Sequence, residues 1–570
     1  MKTYEAVIIG SGFGGSISAC RLAKKWPGEV LVLERGKRYP MGSFPRSPHD
    51  MAHNFWNLPE ESCSRPDWVP SHEVHGLFDI RNYDHMDALV AAGVGGGSLI
   101  YANVFMEPPD HVFEQGWPEN CSRESLRPYY DVVKSVLGSR PIPQNDDPRR
   151  RIPRTELFQE VAKEMGRDSE LVDINVFFGN DFDHPTDIGV QEENRFGAVQ
   201  TSCVYCAECD VGCNTHSKNT LDLNYLYVAE HRYRAEVLPE HLALRIVPVD
   251  SSAKDDSTEN GVHGYRVYYV DLDAGTEGSV LAKRVIVSAG TLGTNELLLR
   301  CRDVDKTLPS ISANLGKRFS GNGDFLSFAV EGDRPSSPNY GPVITQRTDY
   351  NLFEDFKRDE AFILEDAGYP AFAGWYLSGA RPAYSSLAAI WNIVKSTLAL
   401  WFQRKSTGRI GYAFSEWLAG DVSTGTCVFL CMGLDRGNGT LELDKEGRIR
   451  IDWPYKDSLS LYEAILRAGK EFSKRINAKH FFALPNWWFP LRKNVTVHAV
   501  GGCILSDSPD DGVTSADPSS FGQVYGYTGL FVADGAIVPT AVGANPTATI
   551  SALCERVAEG ITEMYPNKDL

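Results

Sequence analysis

The sequence is short of positive charge. Its 570 residues include 57 lysines and arginines against 75 aspartates and glutamates, a formal net charge of −18. Such a balance repels the phosphates of nucleic acids and the head groups of anionic lipids. We therefore expect no nucleic acid among the partners of this chain.

Long apolar runs are also lacking. No uncharged apolar run reaches the roughly 18 residues that a membrane-spanning helix needs. The first ten residues enter an apolar strand pattern at once, which leaves no room for a secretory signal. Internal repeats and low-complexity tracts, which would favour a scaffold role, are absent as well. These features predict a cytoplasmic protein without a membrane span.

Three glycines follow the first apolar segment. Gly10, Gly12 and Gly15 fill the positions of G-x-G-x-x-G between a short apolar stretch and an amphipathic one. In a dinucleotide site these glycines allow a tight turn, a close approach of the pyrophosphate and helix-on-strand packing. Glu34 ends the next apolar segment, where the ribose hydroxyls of an adenosine are bound. The alternatives are a purely structural turn and a solvated carboxylate at a strand end.

A second glycine cluster lies at residues 93–98. Four glycines in five residues let the backbone lie close against a flat or charged group. A flexible surface loop is the alternative, but the apolar pair Leu99 and Ile100 directly afterwards favours burial. The candidate cofactor contacts of this segment are Gly95, Gly96, Gly97, Ser98 and Asn103.

Two more segments show the pattern strand, tight turn, helix. They are residues 284–299 and 529–553. Asp534 ends the strand of the second segment, where it is expected to bind the sugar-alcohol chain of a flavin, and Pro546 opens the last helix. Because these pieces come from both ends and the middle of the chain, one nucleotide-binding domain must be interrupted by insertions.

A cluster of thiols occupies residues 203–213. Cys203, Cys206, Cys209 and Cys213 have the C-x2-C-x2-C-x3-C spacing of bacterial ferredoxins, which favours a 4Fe-4S cluster. Zinc is an alternative, although zinc ligands usually come as two separated pairs. Redox-inert thiols or a disulfide are the third possibility. Asn214 follows where ferredoxins have proline, so Cys213 either completes the same cluster or is replaced by a remote cysteine.

In this order the motifs resemble the glucose-methanol-choline (GMC) oxidoreductases, and within them the cholesterol oxidase branch. The resemblance rests on residues 10–34, 93–98, 288–297, 498–503 and 529–553. It implies an α/β fold in which a Rossmann-type FAD-binding domain is interleaved with a substrate domain built on a mostly antiparallel sheet plus helices. We assign residues 1–110, 215–330 and 490–570 to the FAD-binding domain, and 111–214 and 331–489, with the cysteines, to the substrate domain.

The resemblance places the active-site histidine at His498 and the active-site asparagine at Asn545. Oxidation of an alcohol removes a hydroxyl proton and a carbon-bound hydride, which flavin N5 accepts. A histidine suits the proton loss, and an amide at a helix N-terminus suits a developing alkoxide or the flavin edge. The alternative for His498 is a structural histidine.

One departure concerns a carboxylate. Cholesterol oxidases carry one just before a strand whose counterpart here is taken to be residues 427–433, and Gly425 occupies the aligned position. This departure weakens the case for sterol isomerisation, which needs a base, but not the case for alcohol oxidation. Glu416 or Asp421 would replace the carboxylate only if the loop were arranged differently, and each is more simply a solvated acid.

The expected function is oxidation of a hydrophobic or aromatic alcohol by FAD, with electrons passing through the cluster to a quinone, ferredoxin or cytochrome. The bulky residues that recur at helical spacing within 387–402 are typical of a buried helix face, or else of a lid or a peripheral membrane contact. Trp487 to Pro490 is core or pocket wall. Other possibilities are a plain oxidase using oxygen, a lyase on the same fold and a non-enzymatic electron-transfer or zinc-stabilised binding protein.

Overall fold

The computed structural model describes residues 2–57, 74–371, 424–488 and 490–565, with positions 391, 394, 395, 398 and 402. None of the helices in these stretches is both long enough and apolar enough to cross a membrane. The α-helices are Phe13–Lys25, Pro48–Ala52, Arg123–Leu137, Pro153–Glu164, Tyr225–His231, Gly290–Leu299, Leu459–Arg475 and Thr547–Met564.

A parallel sheet of five strands forms the centre of the nucleotide-binding fold. Its strands, in spatial order, are Glu236–Leu238, Val30–Leu33, Ala6–Ile9, Val285–Val287 and Leu530–Val532. Four of these five strands are buried at every position. They consist of Val, Ile, Leu and Phe with one alanine, as expected when both faces of a parallel sheet are covered. Helices Phe13–Lys25 and Thr547–Met564 pack against each other beside this sheet.

A second sheet of six strands is antiparallel throughout. Its strands, in spatial order, are His480–Ala483, Phe325–Val330, Cys427–Gly433, Phe362–Ala367, Gln346–Tyr350 and Ser169–Leu171. Helices Leu459–Arg475 and Pro153–Glu164 bury an apolar cluster against one face, and Trp487 belongs to that cluster. The predicted fold class, a Rossmann-type domain with an antiparallel substrate-side sheet, is confirmed.

Smaller sheets complete the described part of the fold. Four strands form a sheet beside the parallel one: Thr3–Tyr4, Thr276–Ala282, Tyr265–Asp271 and His241–Pro248. A further sheet has four strands: Ile449–Asp452, Gly439–Leu443, Lys317–Ser320 and Val500–Gly502. Another has three: Asn494–Thr496, Met86–Ala91 and Phe78–Asn82. Four strand pairs remain: Asp173–Ile174 with Val104–Phe105, Gln191–Glu193 with Val199–Thr201, Leu505–Ser506 with Thr514–Ser515, and Trp56–Asn57 with Val74–His75.

Most of segment 387–402, with its recurring bulky residues, lies outside the described residues. Glu416 and Asp421 lie outside them too. The described positions of segment 387–402 are helical. Trp391 is 65% exposed and Phe402 is 80% exposed, and Val394 and Leu398 are exposed as well. At Trp391, Val394 and Leu398 the simplest expectation, a helix face buried on the substrate domain, is therefore wrong. Trp487 is buried in the core, whereas Trp488 is exposed.

Candidate active site

The predicted dinucleotide loop borders a cavity of about 2030 Å³. A Cβ on Gly15 would lie 2.0 Å from the Gly10 carbonyl oxygen, and one on Gly10 would lie 2.2 Å from the Ser288 carbonyl oxygen. These two positions exclude any side chain because backbone packs against them. A Cβ on Gly12 would meet nothing closer than Gly96 Cα at 3.9 Å and would enter the cavity. The loop thus keeps an open cradle on one side only.

The N-terminus of helix Phe13–Lys25 faces this cradle. Gly12 is its N-cap, and no side chain caps its first backbone N–H groups. Uncapped N–H groups and the helix dipole favour a bound phosphate. The second glycine segment meets the first here, since a Cβ on Gly96 would lie 2.5 Å from Gly12 Cα. These features fit the pyrophosphate of FAD.

Glu34 closes the same loop. One carboxylate oxygen accepts hydrogen bonds from the backbone N–H and the hydroxyl of Ser11, at 2.9 and 2.7 Å, and the other accepts from the Gly36 N–H at 2.9 Å. Burial raises the pKa of Glu34, and these hydrogen bonds oppose the shift. The carboxylate also lines the cavity, as expected for a contact with adenosine.

The remaining predicted cofactor residues divide into two groups. Gly96, Gly97, Asp534 and Pro546 line the cavity. Gly95 and Ser98 are instead joined to each other, because the Ser98 hydroxyl donates to the Gly95 carbonyl. Asn103 is fully buried with a positive φ of 72°, and its side chain lies beside the Cys209 thiol.

Asp534 is held by its own neighbours. Its carboxylate accepts from the Thr294 hydroxyl and from the Ala536 N–H. Burial raises the pKa of Asp534 to about 6, so the group is ionised at neutral pH. A fixed anion at the cavity wall suits hydrogen bonding to hydroxyl donors, such as those of the flavin side chain.

His498 follows strand Asn494–Thr496 and faces the cavity. Its Nδ1 lies 2.8 Å from Oδ1 of the buried Asp324. Since a carboxylate only accepts hydrogen bonds, the imidazole presents Nε2 to the space where substrate and flavin would meet. The predicted histidine is therefore placed for proton transfer.

Asn545 lies beside a carboxylate that the sequence reasoning missed. Its Nδ2 is 3.4 Å from Oε2 of Glu365, on strand Phe362–Ala367. Asn545 Oδ1 and Glu365 Oε1 are buried and have no hydrogen-bond partner within the described residues. Burial raises the pKa of Glu365 to about 8, and neighbouring Asp366 adds to the shift. Leu430, which pairs with Glu365, and Pro546, which follows Asn545, line the cavity, so these two unpartnered polar atoms are close enough to its wall to fit a reacting hydroxyl group.

The expectation that the site lacks a carboxylate is therefore wrong. Gly425 precedes strand Cys427–Gly433, but the carboxylate stands on the adjacent strand, where Glu365 pairs with Leu430. Directly opposed residues of antiparallel strands present their side chains to the same face, and Leu430 lines the cavity, so Glu365 points toward the cavity side of the sheet. The acidic pair Glu365 and Asp366 inside an otherwise apolar strand was the available signal.

The described cavity wall on this side is otherwise apolar. It is lined by Leu326, Phe328, Val343, Ile344, Val428 and Leu430. These residues come from the antiparallel sheet and the segment before it. His498 thus borders a cavity with an apolar wall, and the Glu365–Asn545 pair lies next to the lining residues Leu430 and Pro546.

Models of the family described as GMC oxidoreductase match residues 4–318 and 436–554, and the first match alone is more than half of the chain. This protein belongs to the GMC oxidoreductase family. Its members are FAD-dependent enzymes that oxidise alcohols and related substrates, so the expected FAD is confirmed.

Known relatives span nearly the whole chain. A cholesterol oxidase from Acinetobacter baumannii is 27% identical over 97% of this chain and 93% of its own length. A long-chain-alcohol oxidase from Arabidopsis thaliana is 23% identical over 99% of this chain and 68% of its own length. The crystal structure of pyridoxine 4-oxidase from Mesorbium loti superposes with a TM-score of 0.59 at 14% identity, covering 99% of this chain and all of that one, which shows a shared fold.

The four thiols of this GMC oxidoreductase line one small cavity. Its volume is about 20 Å³, and Cys203, Cys206, Cys209 and Cys213 all border it. Each is a free thiol. Among the residues that the structure describes, no group of three or more His, Cys, Asp or Glu side chains is placed to hold a metal ion. The convergent thiols fit an iron-sulfur centre in chemistry, whereas the predicted cluster itself is not shown.

Lys218 links the cysteine loop to the flavin-side loop. Its buried ammonium group donates to the carbonyl oxygens of Leu99 at 2.8 Å, Tyr101 at 3.2 Å and Cys209 at 2.5 Å. Asp210, one residue after Cys209, lines the large cavity together with Gly96 and Gly97. The thiols are thus built directly behind the glycine segment that borders the FAD site.

Substituting Gly12 tests the cofactor cradle. Gly12→Val places a branched side chain in the open space that the pyrophosphate needs, so we expect FAD to be lost while the fold is kept. The flavin absorbance of the purified variant and its circular dichroism spectrum measure the two. Gly560→Val, in helix Thr547–Met564 and outside the cavity wall, where a Cβ would come no closer than 3.8 Å to its neighbours, is the control and should keep flavin. A Gly12→Val protein with full flavin content would contradict the assignment.

Glu365 is expected to give the reaction an upper pH limit. Below about pH 8 the carboxyl group is neutral, and above it the group becomes a carboxylate. A negative charge facing the hydroxyl oxygen opposes the loss of its proton to His498, so the rate of flavin reduction by an alcohol should fall as pH rises through about 8.

The control variant is Glu365→Gln, which is neutral at every pH. It should reduce flavin at a rate near that of the wild type at pH 7 and should lack the fall above pH 8. Rapid-mixing measurements under anaerobic conditions from pH 6 to 10 check both statements. A wild-type rate that rises through pH 8, together with an inactive Glu365→Gln, would instead make Glu365 the base.

Proposed function

We propose that this protein oxidises a hydrophobic alcohol to the corresponding carbonyl compound. The observation that carries the proposal is the placement of His498 on the wall of a chamber whose antiparallel-sheet side is apolar, with the Glu365–Asn545 pair next to the lining residues Leu430 and Pro546. An alcohol with a large apolar body would bury that body against the wall and present its hydroxyl group to the polar pairs.

The chain supplies the proton chemistry of this reaction. His498 Nε2 accepts the hydroxyl proton, and Asn545 and neutral Glu365 orient the hydroxyl oxygen. Bound FAD supplies the acceptor for the hydride that leaves the carbinol carbon. The backbone N–H groups in the first turn of helix Phe13–Lys25 and the carboxylates of Glu34 and Asp534 would hold the cofactor.

The relatives support an apolar substrate. One is named a cholesterol oxidase and another a long-chain-alcohol oxidase, and both names denote alcohols with large apolar bodies. Glu365 also places a carboxyl group beside Asn545, so a missing carboxylate no longer argues against sterol isomerisation.

We further propose that Cys203, Cys206, Cys209 and Cys213 bind a 4Fe-4S cluster. The support is their ferredoxin-like spacing, their convergence on one cavity and their position behind the flavin-side loop. Such a cluster supplies a one-electron carrier, through which electrons would reach a quinone, ferredoxin or cytochrome. The free state of the eleven cysteines in the described residues agrees with a reducing compartment, and we propose the cytoplasm.

A plain oxidase that uses oxygen is the second candidate. It is favoured by the names of the two relatives described above, a cholesterol oxidase and a long-chain-alcohol oxidase. The two candidates share the reaction of the alcohol with FAD and differ only in where the electrons go afterwards.

A panel of alcohols tests the first half of the proposal. The purified enzyme is mixed anaerobically with a sterol, a long-chain primary alcohol, an aryl alcohol and a sugar, and the loss of oxidised-flavin absorbance is followed. We expect the first three to reduce the flavin and the sugar to react slowest. Fastest reduction by the sugar would overturn the apolar assignment, and a carbonyl product formed without lasting flavin reduction would indicate a lyase.

A further inference from the structure

Asp324 is a buried acid next to the proposed base. It lies between strands Lys317–Ser320 and Phe325–Val330 and is only 3% exposed. None of the motifs in the sequence points to it, and it is 174 residues away from its partner His498 along the chain.

The two oxygens of Asp324 have different neighbours. Oδ1 faces only His498 Nδ1, at 2.8 Å. Oδ2 faces three donors, namely the backbone N–H groups of Val497 at 2.9 Å and His498 at 3.2 Å and the hydroxyl of Thr496 at 3.1 Å. The carboxylate is therefore fixed at both ends, and its free rotation is blocked by hydrogen bonds.

We propose that Asp324 is the positioning residue that fixes the tautomer of His498. The proton of neutral His498 is held on Nδ1 by Oδ1, which leaves the lone pair of Nε2 directed at the cavity. In the oxidation, the O–H bond of the alcohol breaks and its proton passes to Nε2, while the carbinol hydride leaves for the flavin. The carboxylate then stabilises the imidazolium that has formed. This inference rests on the proposed alcohol oxidation.

Asparagine at position 324 would impose the opposite tautomer. Its amide oxygen has to take the side of Oδ2, because two backbone N–H groups and a hydroxyl donate there. The amide NH₂ group is then forced toward His498 Nδ1, which must accept, and the imidazole proton moves to Nε2. The substitution keeps the volume of the side chain. Because Nε2 of His498 then carries the proton, it can no longer accept one from the alcohol.

The experiment combines kinetics with a spectroscopic reading of the tautomer in the FAD-loaded enzyme. We expect Asp324→Asn to lower the limiting rate of anaerobic flavin reduction by about 100-fold or more, the scale of a lost general base, with little change in the half-saturating alcohol concentration. Nitrogen-15 NMR of the imidazole nitrogens, assigned to His498 by the loss of its signals in His498→Gln, should show Nδ1–H in the wild type and Nε2–H in the variant.

An acid beside another histidine, outside the cavity wall, provides the control. Asp181→Asn makes the same chemical change where one carboxylate oxygen accepts from the backbone N–H groups of Asp183 and His184 and the other lies 3.2 Å from His184 Nδ1. It should leave the His498 tautomer and the limiting rate unchanged. Thermal unfolding and flavin content of both variants show whether each folds.

Three results would overturn the proposal, and one separates it from the function itself. Wild-type enzyme with the proton on Nε2 overturns it without any variant, which covers the case of Asp324→Asn failing to fold. An unchanged limiting rate in folded Asp324→Asn overturns it, as does an Nδ1–H tautomer in that variant. If flavin in His498→Ala is reduced at the wild-type rate, His498 is not the base and the proposed mechanism fails. The NMR measurement still tests separately whether Asp324 fixes the tautomer of His498.

Discussion

Replacing His498 by alanine should slow flavin reduction by an alcohol at least about 100-fold, the usual contribution of a general acid or base. The imidazole lines the cavity and is held from behind by a hydrogen bond to Asp324. Alanine leaves the FAD contacts untouched, so flavin content should stay near that of the wild type. Anaerobic rapid mixing and the flavin-to-protein absorbance ratio measure the two quantities.

An exposed histidine provides the comparison. His480 lies in the edge strand of the antiparallel sheet, and His480→Ala should reduce flavin at the wild-type rate. If His498→Ala also reduces flavin at that rate, His498 is a structural residue. If it instead loses flavin, the imidazole is a cofactor contact rather than a base.

The cofactor loops could be predicted because their residues are close in sequence. Gly10, Gly12 and Gly15 lie within six residues, and at each of them the fold uses the space that a side chain would fill. The same holds for the second glycine segment, where Gly96 and Gly97 reach the cavity. Short-range geometry of this kind follows from backbone sterics and leaves a direct trace in the residue pattern.

The acids of the candidate active site could not be predicted in the same way. Glu365 meets Asn545 from 180 residues away, and Asp324 meets His498 from 174 residues away. Which strands of an antiparallel sheet are neighbours depends on the whole topology. The sequence therefore predicts the acid before strand Cys427–Gly433, whereas it lies on the neighbouring strand Phe362–Ala367. The spacing of these residues in the sequence carries no record of their contact.

The cysteine loop is an intermediate case. Four thiols within eleven residues converge on one cavity, as their spacing predicts. The spacing alone does not identify what the thiols bind, because iron-sulfur centres, zinc sites and free thiols all use cysteines at such spacings. Lys218, which ties the loop to the flavin side, follows five residues after Cys213 and carried no recognisable signal.

Substituting Cys206 should abolish both the iron content and the turnover with large artificial electron acceptors. Cys206→Ser removes one of the four thiols that border the small cavity, and a hydroxyl group is a far poorer ligand for iron than a thiolate. The alcohol and FAD sites are not altered, so anaerobic flavin reduction by the alcohol should persist at the wild-type rate. Iron and sulfide analysis, acceptor-dependent turnover and rapid mixing measure the three quantities.

Cys121→Ser is the matched control, since Cys121 is equally small, is buried and lies outside the thiol cavity. It should retain iron, turnover and the electron-spin signal that a ferredoxin-like cluster gives on reduction. Zinc gives no such signal. Wild-type protein that contains stoichiometric zinc or no metal, or that consumes oxygen rapidly without iron, would show that electrons leave the flavin directly. The thiols would then stabilise the loop behind the flavin site, and the enzyme would be a plain oxidase.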